Sequence, residues 1–67
     1  MFVIYGQKHC VQVERAITHL NLLRLPFQSR DALSNNENFI ESEPIPQIFK
    51  DDVFIGGFEE LRTMYPL

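Results

Sequence analysis

Cys10 is the residue of this chain best suited to covalent chemistry, because a cysteine thiolate is a strong nucleophile. It stands just before a run of residues with helical spacing, where unpaired backbone N–H groups and the helix dipole stabilise a negative charge. Thiols in such positions can have a pKa lowered well below about 8.5. The alternative is a small buried hydrophobe, which is what most free cysteines are. Position alone leaves the two interpretations balanced.

Two later segments could shape a binding site. Ile45-Pro46 precedes a run typical of a strand, and a cis bond there would turn backbone polar groups toward a neighbouring site. Only about 5 to 6% of X–Pro bonds in folded proteins are cis, so the residues alone favour a trans proline that opens a strand. Gly56-Gly57 precedes a helix start and could hold a carboxylate or phosphate on backbone N–H groups, although a turn with unusual backbone angles also explains two glycines.

A metal site built from protein ligands is not expected. The chain has one cysteine and two histidines, and His19 has no partner at metal-ligand spacing. We interpret His19 as a residue of the helix surface or helix edge.

The hydrophobic pattern predicts the elements that position these residues, in the order β-α-β-α-β-β-α. A β-branched and aromatic run closed by Gly6 predicts a central strand, and apolar residues at spacings of three and four predict a helix after it. The predicted elements are a central strand over 2–5, a helix over 10–23, a polar edge strand over 27–30, a short helix beginning within 34–37, a hairpin over 47–50 and 53–55 around an acidic two-residue turn, and a last helix from residue 58.

These elements predict a single domain over residues 1–67. A β-α-β unit prefers parallel strands with a right-handed crossover, so the first two strands should be parallel neighbours. The hairpin extends the same sheet. The fold class is therefore α/β, with a four-stranded mixed sheet and helices on both faces.

Composition limits the partners. With 45% hydrophobic residues and a net charge of -3, the chain is expected to be compact and to lack attraction for nucleic acid or anionic membranes. One cysteine cannot form an internal disulfide, which favours a reducing compartment. The chain shows neither a secretory leader nor an apolar run of about 20 residues, so we expect a cytoplasmic protein and a monomer.

Three segments in this order resemble the glutaredoxin family, with its thioredoxin-like fold. They are the strand, turn, cysteine and helix around Cys10, then "PIPQIF", then "IGGFEEL". The order and spacing of these segments match the family over nearly the whole chain, although the middle segment, residues 31–42, is shorter than is usual in the family. "PIPQIF" resembles T-V-P-x-I-F, which implies a cis Ile45-Pro46 bond that faces Cys10. "IGGFEEL" resembles I-G-G-x-D-D-L, which in glutaredoxins receives the γ-glutamyl end of glutathione.

The resemblance implies that Cys10 is the nucleophile of a thiol–disulfide oxidoreductase with glutathione as co-substrate. It implies that the Ile45 backbone binds the cysteinyl unit, that Phe58 and Glu59 contact the γ-glutamyl group, and that Gln12 lines the groove. Gln7 stands where many glutaredoxins have lysine, so one contact to a glutathione carboxylate is weakened unless Lys8 substitutes. The implied glutathione-binding residues are Gln7, Lys8, Gln12, Ile45, Pro46, Gly57, Phe58 and Glu59.

Val13 stands where a disulfide-exchanging protein usually has its second cysteine. "CVQ" resembles the C-V-Q-C of small redoxins that reduce ribonucleotide reductase, and one sequence leaves open whether Val13 is natural or an introduced replacement of the resolving cysteine. With one cysteine the implied route is monothiol and depends on glutathione, as the resolving thiol must come from elsewhere. The implied partners are glutathione and glutathionylated or disulfide-containing proteins, with ribonucleotide reductase one candidate.

Three alternatives remain open at this point. Two chains could hold an iron-sulfur cluster through Cys10 and bound glutathione, but the motif of such proteins is C-G-F-S, whereas bulky Val11 and Gln12 stand here. The chain could be a ribonucleotide-reductase-type redoxin that has lost its resolving cysteine to Val13. It could also be a redox-inactive fold that docks to a partner such as a reductase.

Overall fold

The protein forms one mixed sheet with two helices, and the computed structural model describes residues 1–7, 9–32 and 38–67. The sheet has the strand order β2-β1-β3-β4, with β1 parallel to β2 and antiparallel to β3, and β3 antiparallel to β4. The predicted α/β class and four-stranded mixed sheet are confirmed. The elements are β1 (Phe2–Gly6), α1 (Val11–Leu22), β2 (Phe27–Asp31), β3 (Gln47–Lys50), β4 (Val53–Gly56) and α2 (Phe58–Met64).

β1 is a central strand that is covered on both faces. Successive side chains of a strand point to opposite faces, so Phe2 and Ile4 share one face while Tyr5 lies on the other. Ile4 is paired with Ile48 of β3, and both side chains are fully buried. Burial on both faces explains why the sequence of β1 lacks polar alternation.

Both helices pack on the face that carries Phe2 and Ile4. Val13, Ala16 and Leu20 form the buried stripe of α1, and Leu61 is the buried residue of α2. The two helices also contact each other. The two helices of the described residues therefore share one face, and the start of the helix predicted for the other face, at 34–37, lies outside the described residues. The core consists of Phe2, Ile4, Val13, Ala16, Leu20, Ile48 and Leu61.

The opposite face is covered by an irregular segment. The Tyr5 ring makes edge contacts with Phe39 and Phe49, at centroid distances of 6.1 and 5.5 Å. Residues 38–43 form turns, and the predicted start of a helix at 34–37 lies outside the described residues. The side-chain amide of Gln47 binds both the N–H and the C=O of Ile40, so these groups are not available to a helical ladder. No helix in the described part of the chain is long and apolar enough to cross a membrane.

The predicted acidic hairpin turn is confirmed. Asp51 and Asp52 connect β3 to β4 with φ values of 49° and 68°, and positive φ at both central residues is the requirement of a type I′ turn. The Met1 amine donates a hydrogen bond to the Asp51 carboxylate, and this bond, together with the charge of the amine, lowers the pKa of Asp51.

Gly6 marks the closest approach of β1 to α1. A Cβ at residue 6 would lie 2.2 Å from Cγ2 of Val13, a distance that real Cβ atoms do not show. The missing side chain therefore allows the first turn of α1 to lie directly on the end of β1.

We expect Gly6→Ala to lower the free energy of unfolding by about 1 to 3 kcal/mol, because the new methyl group overpacks the contact with Val13. Val13→Ala should also destabilise, by opening a cavity. The double variant should be less destabilised than the sum of the two single variants, by at least about 0.5 kcal/mol, since the smaller side chain makes room for the methyl group. Urea unfolding of the four proteins measures this coupling, and strictly additive losses would contradict the contact.

Candidate functional site

The residues assigned to chemistry gather at one end of the sheet. The register pairs Tyr5 with Gln47 and Ile48 with Gly56. The last residues of β1 and β4 and the first residue of β3 therefore lie at the same end of the sheet. Any residue that directly follows β1 or β4, or directly precedes β3, lies at this end.

Cys10, Pro46 and Gly57 occupy these connections. Cys10 lies four residues after the last residue of β1, Pro46 directly precedes β3, and Gly57 directly follows β4. The cysteine, proline and glycine segments thus lie at the same end of the sheet. The Asp51 carboxylate and the Met1 amine lie at the other end, beyond the pairing of Phe2 with Lys50.

Cys10 is the N-cap residue of α1. Its backbone is extended, with φ -80° and ψ 123°, and its carbonyl accepts a hydrogen bond from the Glu14 N–H at 3.1 Å. Its side chain caps no backbone N–H group. The residue is half-buried and packs against the core. The predicted position at the start of the helix is confirmed, and the thiol is left free of a capping role.

The Ile45-Pro46 peptide bond is cis, as the resemblance implies and against the expectation from the residues alone. Ile45, Pro46 and Gly57 help to line one cavity of about 340 Å³. The Pro46 carbonyl oxygen would lie 3.4 Å from a Cβ added to Gly57, so the two backbone segments are neighbours. The structure therefore brings three of the predicted glutathione-binding residues together.

Glu60 folds back over the two glycines. Its Oε1 accepts a hydrogen bond from the Gly57 N–H at 2.7 Å, which completes a capping-box pattern at the start of α2. Gly56 has a φ of +120°, and a Cβ there would lie 2.6 Å from Cγ of Glu60. The sequence analysis missed Glu60, although its place three residues after Gly57 is the spacing of a capping box. A ligand carboxylate that bound the Gly57 N–H would have to displace Glu60.

Phe58 and Glu59 follow Gly57 in the first turn of α2. Phe58 is half-buried, packs against the core and makes an edge contact with the His19 ring at a centroid distance of 5.9 Å. Glu59 is exposed and forms an ion pair with Arg62. Phe58 is thus held by packing, whereas Glu59 is held by an exposed pair of the kind that contributes little to stability.

The remaining predicted glutathione-binding residues are more dispersed. Gln12 is exposed on α1. Gln7 lines a different cavity, of about 380 Å³, together with Val13 and Arg30. Lys8 lies outside the described residues.

The prediction of His19 at the helix surface or helix edge is wrong. Its side chain is 5% exposed, and Nε2 lies 2.6 Å from the Tyr65 carbonyl oxygen. His19 lies three residues after Ala16 and therefore beside the buried stripe of α1. There α2 covers the His19 side chain. Among the described residues no group of three or more His, Cys, Asp or Glu side chains could hold a metal ion.

A mixed sheet that begins β-α-β and ends β-β-α, with a cysteine at the N-cap of the first helix, defines the thioredoxin-like class of folds. Two solved structures of glutaredoxins match this chain. The glutaredoxin of buckwheat, in complex with glutathione, matches with a TM-score of 0.79 and 15% identity over 96% of this chain and 66% of its own. Reduced Escherichia coli glutaredoxin matches with a TM-score of 0.67 and 25% identity over 94% and 89%.

The structural similarity confirms the resemblance to glutaredoxins that the motifs indicated. The chain spans just under two thirds of the length of the buckwheat glutaredoxin. No protein-family model matches the sequence, and no curated protein sequence matches it. The shared fold is therefore visible in the structure and in a few short motifs.

Gln47 fixes the segment that leads to Ile45-Pro46. It is fully buried, its Oε1 accepts the Ile40 N–H at 2.9 Å, and its Nε2 donates to the carbonyl oxygens of Ile40 and Glu43. One side chain thereby satisfies three backbone groups of an irregular segment. Losing it would leave these groups without a protein partner, each at a cost of about 1 to 3 kcal/mol if they stayed buried.

We expect Gln47→Leu to destabilise the protein by about 2 to 4 kcal/mol and to accelerate amide hydrogen exchange at Ile40 and Ile45. Gln28→Leu is the matched control, because Gln28 is exposed on the edge strand β2 and should change stability by less than about 0.5 kcal/mol. Nuclear magnetic resonance exchange and urea unfolding measure both effects. Equal stability and equal exchange in the two variants would contradict the role of Gln47.

Proposed function

We propose that this protein is a glutaredoxin-like thiol–disulfide oxidoreductase with Cys10 as nucleophile and glutathione as co-substrate. The observation that carries the proposal is the position of Cys10 at the N-cap of α1, with a thiol that caps no backbone group. The cavity lined by Ile45, Pro46 and Gly57 at the same end of the sheet supports it. Cys10 stands at the N-terminus of a twelve-residue helix, where backbone N–H groups without a partner in the helix attract negative charge.

In the first step, the Cys10 thiolate attacks the glutathionyl sulfur of a mixed disulfide between glutathione and a protein. A new disulfide forms between Cys10 and glutathione, the old sulfur–sulfur bond breaks, and the protein leaves as a thiolate that takes a proton from solvent.

In the second step, the thiolate of another glutathione attacks the glutathione sulfur bound to Cys10. Oxidised glutathione leaves and the Cys10 thiolate is restored. The sum is the exchange of one glutathionylated protein and one glutathione for the reduced protein and oxidised glutathione. The route needs no second cysteine, which suits a chain that has only one.

The proposed glutathione contacts are those that the resemblance to glutaredoxins implies. The Ile45 backbone would bind the cysteinyl unit, and Phe58 would pack against the γ-glutamyl group. Glu59 is exposed and would receive the γ-glutamyl ammonium in competition with Arg62. Glutathionylated proteins in a reducing cytoplasm are the proposed substrates, and ribonucleotide reductase is one candidate.

Incubation with oxidised glutathione should add the mass of one glutathione to this protein. Mass spectrometry should find no addition to the Cys10→Ser variant, because the chain has no other thiol. The same variant should lose glutathione-dependent reduction of a glutathionylated peptide. Failure of the unaltered protein to gain mass or to reduce the peptide would refute the proposed function.

The absence of a resolving thiol has a consequence for protein disulfides. Val13 is 7% exposed and contributes to the core, so its position serves packing. When the reduced protein attacks a protein disulfide without glutathione, the mixed disulfide with Cys10 should accumulate. Cys10 and residue 13 are three positions apart, a spacing at which side chains are neighbours in a helix start and a disulfide can form.

Val13→Cys should therefore release the reduced protein substrate in a single turnover without glutathione, whereas the unaltered protein should stay covalently attached. Ile17→Cys is the matched control, since this half-buried residue of α1 lies about 10 Å along the helix from Cys10 and cannot reach it. Non-reducing electrophoresis separates the covalent complex from the released substrate. Equal trapping by the two cysteine variants would show that position 13 cannot resolve the complex.

A further inference from the structure

His19 touches both ends of α2. Its ring lies edge-on to Phe58, the first residue of α2, at 5.9 Å between centroids, and its Nε2 lies 2.6 Å from the carbonyl oxygen of Tyr65, the C-cap residue. The side chain is 5% exposed. The proposed chemistry at Cys10 does not use it.

The bond to Tyr65 has a fixed direction. A carbonyl oxygen only accepts, so Nε2 carries the hydrogen and donates it. The last carbonyl groups of a helix lack partners within the helix, and His19 supplies one just beyond the end of α2. A helix of seven residues is marginal on its own, so its orientation depends on such contacts and on the buried Leu61.

We infer that His19 is a positioning residue for glutathione binding, because its hydrogen bond to the Tyr65 carbonyl holds α2 against α1 and thereby fixes Phe58. This inference rests on the proposed function, in which Phe58 packs against the γ-glutamyl group. His19 acts on the affinity for glutathione through α2, and it does not act on the sulfur chemistry at Cys10.

Two substitutions separate the hydrogen bond from the ring contact. His19→Phe keeps an aromatic ring beside Phe58 and removes the donor. His19→Gln removes the ring and places an amide Nε2 where the imidazole Nε2 stood, so it can still donate to the Tyr65 carbonyl. If His19→Phe does not fold, His19→Leu takes its place. Phe49→Leu is the control for general destabilisation, because Phe49 packs with Tyr5 on the other face of the sheet.

Steady-state reduction of a glutathionylated peptide gives KM for that peptide, whose glutathionyl group occupies the proposed site, and kcat for each variant. We expect His19→Phe to raise KM about fivefold or more with kcat within about twofold, and His19→Gln to keep both near the values of the unaltered protein. Phe49→Leu should leave KM unchanged. Amide exchange at Leu61 and Tyr65 should accelerate in His19→Phe and not in His19→Gln or Phe49→Leu.

The outcomes separate this inference from the proposed function. No turnover by the unaltered protein would refute the proposed function and the inference with it. Normal turnover by the unaltered protein with an unchanged KM in His19→Phe would overturn the inference alone. A KM that rises equally in His19→Phe and Phe49→Leu would also overturn it, because the effect would then follow from lower stability.

Discussion

The contact between Gly6 and Val13 is the constraint on which the rest of the structure depends. The absence of a side chain at residue 6 lets the first turn of α1 rest on the end of β1, with Val13 as the residue in contact. Cys10 begins the same turn, so the position of the thiol follows from this packing. The position that holds a resolving cysteine in related motifs therefore also belongs to the core. In this chain the residue at that position is a valine that packs in the core, and the proposed mechanism takes its resolving thiol from glutathione.

The two faces of the sheet are stabilised by different means. On one face, two helices bury an aliphatic core around Ile4, Ile48 and Leu61. On the other face, a short irregular segment is held by aromatic edge contacts with Tyr5 and by the amide of Gln47. Within the described residues 38–46, hydrogen bonds from one buried side chain satisfy backbone groups that have no helical ladder.

The sequence predicted the elements whose signals are local. β1 was recognisable from its β-branched and aromatic run, α1 from the stripe through Val13, Ala16 and Leu20, and the hairpin from its two acidic residues. The placement of Cys10 at a helix start also followed from the sequence, and the cis Ile45-Pro46 bond was implied by the resemblance to glutaredoxins. The features predicted from the residues alone depend on neighbours in the chain or on the general rules of β-α-β connections.

The features that the sequence did not predict depend on distant partners. His19 was expected at the surface or helix edge, but α2 covers it, and its partner Tyr65 is 46 residues away. The helix predicted to begin at 34–37 starts outside the described residues, and the role of Gln47 in fixing the irregular segment after residue 38 is invisible without the fold. Helix capping alone explains a glutamate at the position of Glu60, so the sequence does not mark it as a neighbour of the site.

Glu60 also acts as a tethered competitor at the Gly57 N–H. Because it belongs to the same chain, its carboxylate is present there at the effective concentration of an intramolecular group, which is of millimolar order for short flexible connections. A free anion at a lower concentration therefore gains little binding free energy by replacing the Glu60 carboxylate. A ligand that also contacts Ile45 and Phe58 has additional binding energy to offset the exchange. At the glycine turn this single carboxylate would therefore favour an extended ligand over a simple anion.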